Sequence, residues 1–176
     1  MKKLLIAALV GAMTLTFVGC KGEEKEVHEV SKIINETSEA QDNEAEEKAI
    51  DAAKLAADLV SEISYTDQIS EVDLDTAKMF LNLAEVEVNE AYIYESSGAT
   101  AEEVVVFVCK DSDSAAKAKT AFEQRVEEQT ENFTDYVPEE VPKLKDAVII
   151  TSKDIAILSV SGDSGKAKDI IESALK

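Results

Sequence analysis

Apolar positions change their rhythm several times along the chain. A run from Leu4 to Val18, broken by Gly11, Thr14 and Thr16 and preceded by Lys2 and Lys3, has no polar face. From Lys21 to Glu47 acidic residues crowd the sequence and large apolar residues nearly vanish. The exceptions are Val27, Val30, Ile33 and Ile34. Val27, Val30 and Ile34 fall at helical spacing, so a transient amphipathic helix stands as the alternative to a solvated tether. Regular periodicity starts with Ala52, Leu55, Ala56, Leu59, Val60 and Ile63, one stripe of an amphipathic helix. A second helix is predicted from Asp73 to Leu83, with Leu74, Ala77, Phe80, Leu81 and Ala84 on its apolar side. The period then drops to two. Val86, Val88, Tyr92 and Tyr94 alternate with polar positions, Ser96-Ser97-Gly98 breaks the chain, and Val104 to Val108 form a continuous β-branched and aromatic run. These predict two strands, the second more deeply buried.

Asp111-Ser112-Asp113 supplies side chains that accept from the free N–H groups of a first helical turn. The helix that follows carries Ala115, Ala118, Phe122, Val126 and Phe133 on one face and Lys117, Lys119, Glu123, Glu127 and Glu128 on the solvated one. Ala147 to Thr151 and Ile155 to Val160 then read as short strands joined by the tight connection Ser152-Lys153-Asp154. Asp163 caps a closing helix with Ala167, Ile170, Ile171, Ala174 and Leu175 inward. Strand, strand, helix thus occurs twice. The phrase Val108-Cys109-Lys110-Asp111-Ser112 before one helix is echoed by Val160-Ser161-Gly162-Asp163-Ser164 before the other, which suggests a pseudo-repeat. The expected fold is α+β: an antiparallel sheet of about four strands with helices on one face, preceded by an N-terminal helix. The expected organisation is a lipoprotein signal peptide over 1–19, an acidic flexible tether over 20–47 and one α+β domain over 48–176.

The N-terminal run is too short for a permanent span, since crossing the hydrocarbon core of a bilayer takes about 20 apolar residues. With Lys2 and Lys3 ahead of it, it reads as an export signal. Its end, Thr16-Phe17-Val18-Gly19-Cys20, resembles a bacterial lipobox, in which small residues precede a cysteine that receives a diacylglyceryl group. Cleavage is then expected between Gly19 and Cys20, with Cys20 lipidated, palmitate being a typical acyl chain. A plain secretory signal cut after Ala12 to Thr14, or near Gly19, is the alternative. Two facts favour lipid: a bare thiol after an export signal is a reactive liability, and two acyl chains anchor stably where one does not.

The chain has 176 residues and a formal net charge of −19, a length suited to one domain and a charge that argues against nucleic-acid partners, which are held by Lys and Arg. Hydrophobic residues make up 45%, enough to build a core and so to argue against disorder of the whole chain. Cys20 and Cys109 are the two cysteines, so a lipidated Cys20 leaves no partner for an internal disulfide.

From Ala56-Ala57-Asp58-Leu59 to the C-terminus the chain resembles small lipoproteins of Gram-positive, Clostridia-type anaerobes that carry the domain of unknown function numbered 4358. The resemblance rests on Ala101-Glu102-Glu103-Val104-Val105-Val106-Phe107, the helix ending Arg125 to Gln129, Phe133-Thr134-Asp135-Tyr136-Val137-Pro138-Glu139-Glu140, and the closing hairpin and helix. It implies the lipid anchor upstream and brings no catalytic motif.

Several motifs invite chemistry without completing it. Gly162-Asp163-Ser164-Gly165 matches the phrase around a serine-protease nucleophile, but that reaction needs a histidine base and the single histidine is His28, in the predicted tether. The same segment with Lys166 lacks the spacing of a phosphate loop. Asp111-Ser112-Asp113 and Asp73-Leu74-Asp75 lack the ligand spacing of a calcium loop. Cys109 follows the most apolar strand and, with no histidine near it in sequence, is expected to be a buried or strand-edge residue rather than a nucleophile. Tyr92, Tyr94, Phe133 and Tyr136 either line a binding face or pack in the core, core packing being the preferred expectation, with Tyr136 beside Pro138 the one best placed for exposure. No catalytic, cofactor or metal residues are assigned. The expected function is a noncatalytic binding module, lipid-anchored on the extracytoplasmic face of the cell membrane, with an envelope protein, peptide or wall component as partner. The alternative is a small envelope enzyme or accessory subunit using carboxylates.

Overall fold

A computed structural model of the chain describes residues 49–176. Gly19, Cys20, His28 and the tether therefore lie outside the described residues. Helix α1 (Ala52–Glu62) begins where the Asp51 carboxylate accepts from the Lys54 N–H and turns Leu55, Ala56 and Leu59 inward. The two-residue strand β1 (Ser70–Glu71) and the short helix α2 (Leu74–Ala77) follow. Strands β2 (Val88–Glu95) and β3 (Glu103–Cys109) form a hairpin that leads to the long helix α3 (Ser112–Tyr136). A 3-10 turn (Pro138–Glu140), α4 (Val141–Lys145), β4 (Val148–Ser152), β5 (Ile155–Val160) and α5 (Ser164–Ala174) complete the order. All strand pairs are antiparallel, in the order β1-β2-β3-β5-β4.

The α+β class and the antiparallel sheet are as the sequence implies, with β1 added as a fifth strand. The helices, however, cover both faces of the sheet instead of one. Val105, Phe107, Ala156 and Leu158 pack with Ala118 and Phe122 of α3, while Val104, Val106, Ile155 and Ile157 pack with Leu55 and Leu59 of α1 and Ala167 and Ile171 of α5. The cause is visible in the unbroken runs of β3 and β5: strands without alternation present apolar side chains to both sides, and both sides need a cover. α3 and α5 consequently lie on opposite faces, so the repeated order of strand, strand and helix is not a repeated packing.

Two local expectations also change. α2 stops at Ala77 rather than Leu83, because Leu81 and Leu83 are both buried two residues apart, a spacing a continuing helix would place on different faces. In β2 the register shifts between Val88 and Glu90, so Val88 joins the α3 side although it shares parity with Tyr92 and Tyr94 on the other.

Candidate functional site

Charge is buried where β2 and β3 meet their loop. Glu102 and Glu103 open the most apolar strand of the molecule and are nearly or wholly inaccessible. They point into different clusters. Glu102 accepts from the backbone N–H groups of Thr66 and Asp67, from the Thr100 hydroxyl at 3.1 Å and from Lys143 Nζ at 2.9 Å. Lys143, on α4, also donates to Glu140 at 2.9 Å and to the Thr66 hydroxyl, and Glu140 accepts the Ala101 N–H. Burial pushes the Glu102 carboxyl up, but the two backbone donors and the Lys143 ammonium outweigh it and hold Glu102 below the usual carboxylate range. For Lys143 burial acts downward, and its bonds to Glu140 and Glu102 more than compensate, holding it above its ordinary value. This cluster clamps the segment after α1, the β2–β3 loop and α4 to one another.

The second cluster is less complete. Glu95 and Glu103 are direct partners across β2 and β3. Arg125 of α3 reaches both, with Nε at 3.2 Å from Glu103 Oε2 and an Nη at 3.5 Å from Glu95 Oε2, while its guanidinium lies 4.6 Å from the centre of the Phe80 ring. Glu95 Oε1 and Glu103 Oε1 are buried and receive no donor from another residue. One cation facing two carboxyls leaves one charge over, and a proton resolves it. Burial first, then the charge of Glu103 and a hydrogen bond to it, push Glu95 up to about 9 against the opposing pull of Arg125. A protonated Glu95 then donates to Glu103.

A prediction follows with a definite sign. Because the folded value of Glu95 lies above its unfolded one, its contribution is fully present below about pH 4.5 and drains away as pH climbs through roughly 5 to 9. Glu95→Gln keeps a neutral donor at every pH. In urea titrations the variant should gain on the native chain as pH rises, reaching at least about tenfold in the unfolding equilibrium by pH 8. Parallel stability curves from pH 5 to 9 would refute the shared proton.

Other residues singled out in the sequence have structural duties. Asp163 accepts from the Lys166 N–H and Asp111 from the Ser114 N–H, so both cap helices. Cys109 is buried, and burial, followed by Asp154 and Asp111, pushes its thiol up to about 11, away from nucleophilic reactivity. Phe133 is in the core as expected and Tyr92 and Tyr94 are half-buried, but Tyr136 is exposed rather than packed, standing at the end of α3 just before Pro138. Among the described residues, no group of three or more His, Cys, Asp or Glu side chains is placed to hold a metal ion. An open groove of about 970 Å³ runs between α1 and α5, with Ile50, Leu55, Ile170 and Leu175 on its floor and Lys54, Asp58, Lys166 and Asp169 at its rim. Lys166 Nζ bonds the Glu62 carbonyl across it.

Residues 61–161 match the family described as a domain of unknown function, DUF4358. The match covers more than half of the chain. The chain belongs to the DUF4358 family. The matched stretch of the DUF4358 domain contains every strand among the described residues and both buried clusters, while most of α1 and all of α5 lie outside it. No curated protein and no solved structure matches the chain.

Neither cluster is legible in the local sequence. Glu102-Glu103 before a β-branched run looks like an ordinary polar loop end, and Arg125 looks like one more charge on a solvated helix face. The available signal was the scarcity of cations, 18 Lys and Arg against 37 Asp and Glu, which makes any cation on a helix facing the sheet a candidate partner for buried acid.

Proposed function

We propose that this DUF4358 chain is a bacterial lipoprotein of the Gram-positive, Clostridia-type class, held by Cys20 on the extracytoplasmic face of the membrane and serving as a noncatalytic binding module. The observation that carries the noncatalytic part is the enclosure of its perturbed acid. Glu95 has the pKa shift expected of a general acid, yet its Oε1 is inaccessible, its Oε2 faces Arg125, and neither Glu95 nor Glu103 lines the groove between α1 and α5. A proton so enclosed steadies a sheet. The anchor rests on the sequence: an apolar run ending in Gly19-Cys20, followed by acidic residues up to Glu47.

The alternative, a carboxylate-based envelope enzyme or accessory subunit, draws on the same pair and predicts that Glu95→Gln abolishes an activity. For the anchor, Cys20→Ala should move the protein from the membrane fraction to the aqueous one and leave its signal uncut, as read by fractionation and by mass spectrometry of the N-terminal peptide. A variant that stays membrane-bound with normal processing would overturn it. For binding, crosslinking on intact cells should join the domain to a discrete envelope partner; reproducible turnover of a substrate by the purified protein would count against the reading.

A further inference from the structure

The two edges of the sheet are treated differently. On one side β1 is only two residues long, β2 is irregular between Val88 and Glu90, and Asn89, Glu90 and Glu95 add polar or charged side chains. Short strands, bulges and charges are the usual devices that keep an edge from pairing with another chain. On the other side β4 has none of them. Ala147-Val148-Ile149-Ile150-Thr151-Ser152 contains no charge, proline or glycine, and its register with β5 is regular throughout.

The direction of its free groups follows from the ladder. Asp154 O accepts from the Cys109 N–H, so the alternate residues Ala156, Leu158 and Val160 turn their backbone groups toward β3. Ile155, Ile157 and Ser159 therefore turn toward β4 and engage Ser152, Ile150 and Val148. Ile149 and Thr151 are left with N–H and C=O directed outward, and among the described residues β4 pairs with β5 alone.

We propose that the β4 edge is a docking strand for an extended peptide segment with alternating β-branched residues and basic flanks, taken up as a further strand of the sheet. This rests on the binding-module reading and specifies its partner. Backbone pairing to Ile149 and Thr151 supplies affinity, and the half-buried side chains of Val148, Ile149 and Ile150 receive the alternate side chains of the guest. Charge selects the guest. The chain as a whole stands at −19, α3, which packs on β4, exposes Glu127, Glu128, Glu131 and Asp135, and the lysines that bracket β4, Lys145 and Lys153, are each followed by an aspartate, Asp146 and Asp154. A second copy of this chain fits poorly. Antiparallel self-pairing centred on Ile150 sets Asp146 against Asp154, and pairing centred on Ile149 sets Lys145 against Lys153, like charges in both registers.

The test uses the full chain in detergent and two labelled synthetic peptides of alternating valine and threonine, one flanked by lysines and one by glutamates. The lysine-flanked peptide should bind, more weakly as salt rises, and should slow hydrogen exchange at the Ile149 and Thr151 amides. Thr151→Pro, which removes an outward donor at an edge where proline is tolerated, should weaken binding at least about tenfold. Thr151→Lys, an exposed change that leaves the backbone intact, should weaken it too. No binding, equal binding of the two peptides, or binding unchanged in both variants would overturn the proposal. So would self-association that Thr151→Pro abolishes, which assigns the edge to a second copy. If crosslinking on cells maps a partner to residues away from β4, this inference fails while the binding-module reading stands; substrate turnover without a partner sinks both.

Discussion

Replacing Arg125 with alanine should destabilise the domain by roughly 3–5 kcal/mol at pH 8, the range seen when one member of a buried ion pair is removed. Arg125 is the cation that reaches both Glu95 and Glu103, and Glu103 is wholly inaccessible to water. Without the guanidinium, Glu103 retains the proton of Glu95 as its donor but no compensating charge. The loss also removes the stacking of Arg125 on Phe80, which ties α3 to the segment after α2. The effect should shrink on acidification, because protonation removes the buried charge that the guanidinium had balanced. Urea unfolding at pH 5 and pH 8 separates this account from simple loss of packing: a destabilisation equal at both values would mean that the stem of Arg125, not its charge, is what the fold uses. Arg125→Lys should fall between, since an ammonium keeps the charge but loses the fork that spans two carboxyls.

Lys143→Ala should cost about 3 kcal/mol, and it should do so locally. Its Nζ bonds Glu102 and Glu140 at 2.9 Å each and the Thr66 hydroxyl at 3.1 Å. Glu102 would keep its donors from Thr66, Asp67 and Thr100, and Glu140 would keep the Ala101 N–H, so the two carboxylates would remain in place but repel. The three segments they join, near Thr66, Thr100 and Glu140, should then open first. Hydrogen exchange ought to rise at the Thr66, Asp67 and Ala101 amides while the β3 and β5 ladders stay protected. Uniform loss of protection across the sheet would argue that the clamp is part of the global core rather than a lock on its loops. Combining Lys143→Ala with Glu102→Gln should recover part of the loss, since one of the two repelling charges is gone.

These two clusters also show where a linear reading stops. The helices α1, α3 and α5, the caps at Asp111 and Asp163, and the four longer strands follow from spacing and local chemistry, because a stripe at i, i+3 and i+4 or a β-branched run has few other ways to bury itself. The contents of the buried clusters do not follow in this way. Glu103 meets Arg125 from 22 positions away and Glu102 meets Lys143 from 41, and nothing near either glutamate in sequence announces its cation.

What the amino-acid order determined by itself was the three longer helices, the four longer strands and the antiparallel α+β class; the helices are expected on one face, although the unbroken runs Val104–Val108 and Ile155–Val160 carry the need for cover on two. What only the tertiary structure decided was which acids lie inside, which cation balances them, which of them keeps a proton, and which strand keeps, among the described residues, an unpaired edge. Periodicity is a property of neighbours along the chain, while desolvation and charge pairing depend on distances in space, and those exist only once β2, β3, α3 and α4 have come together.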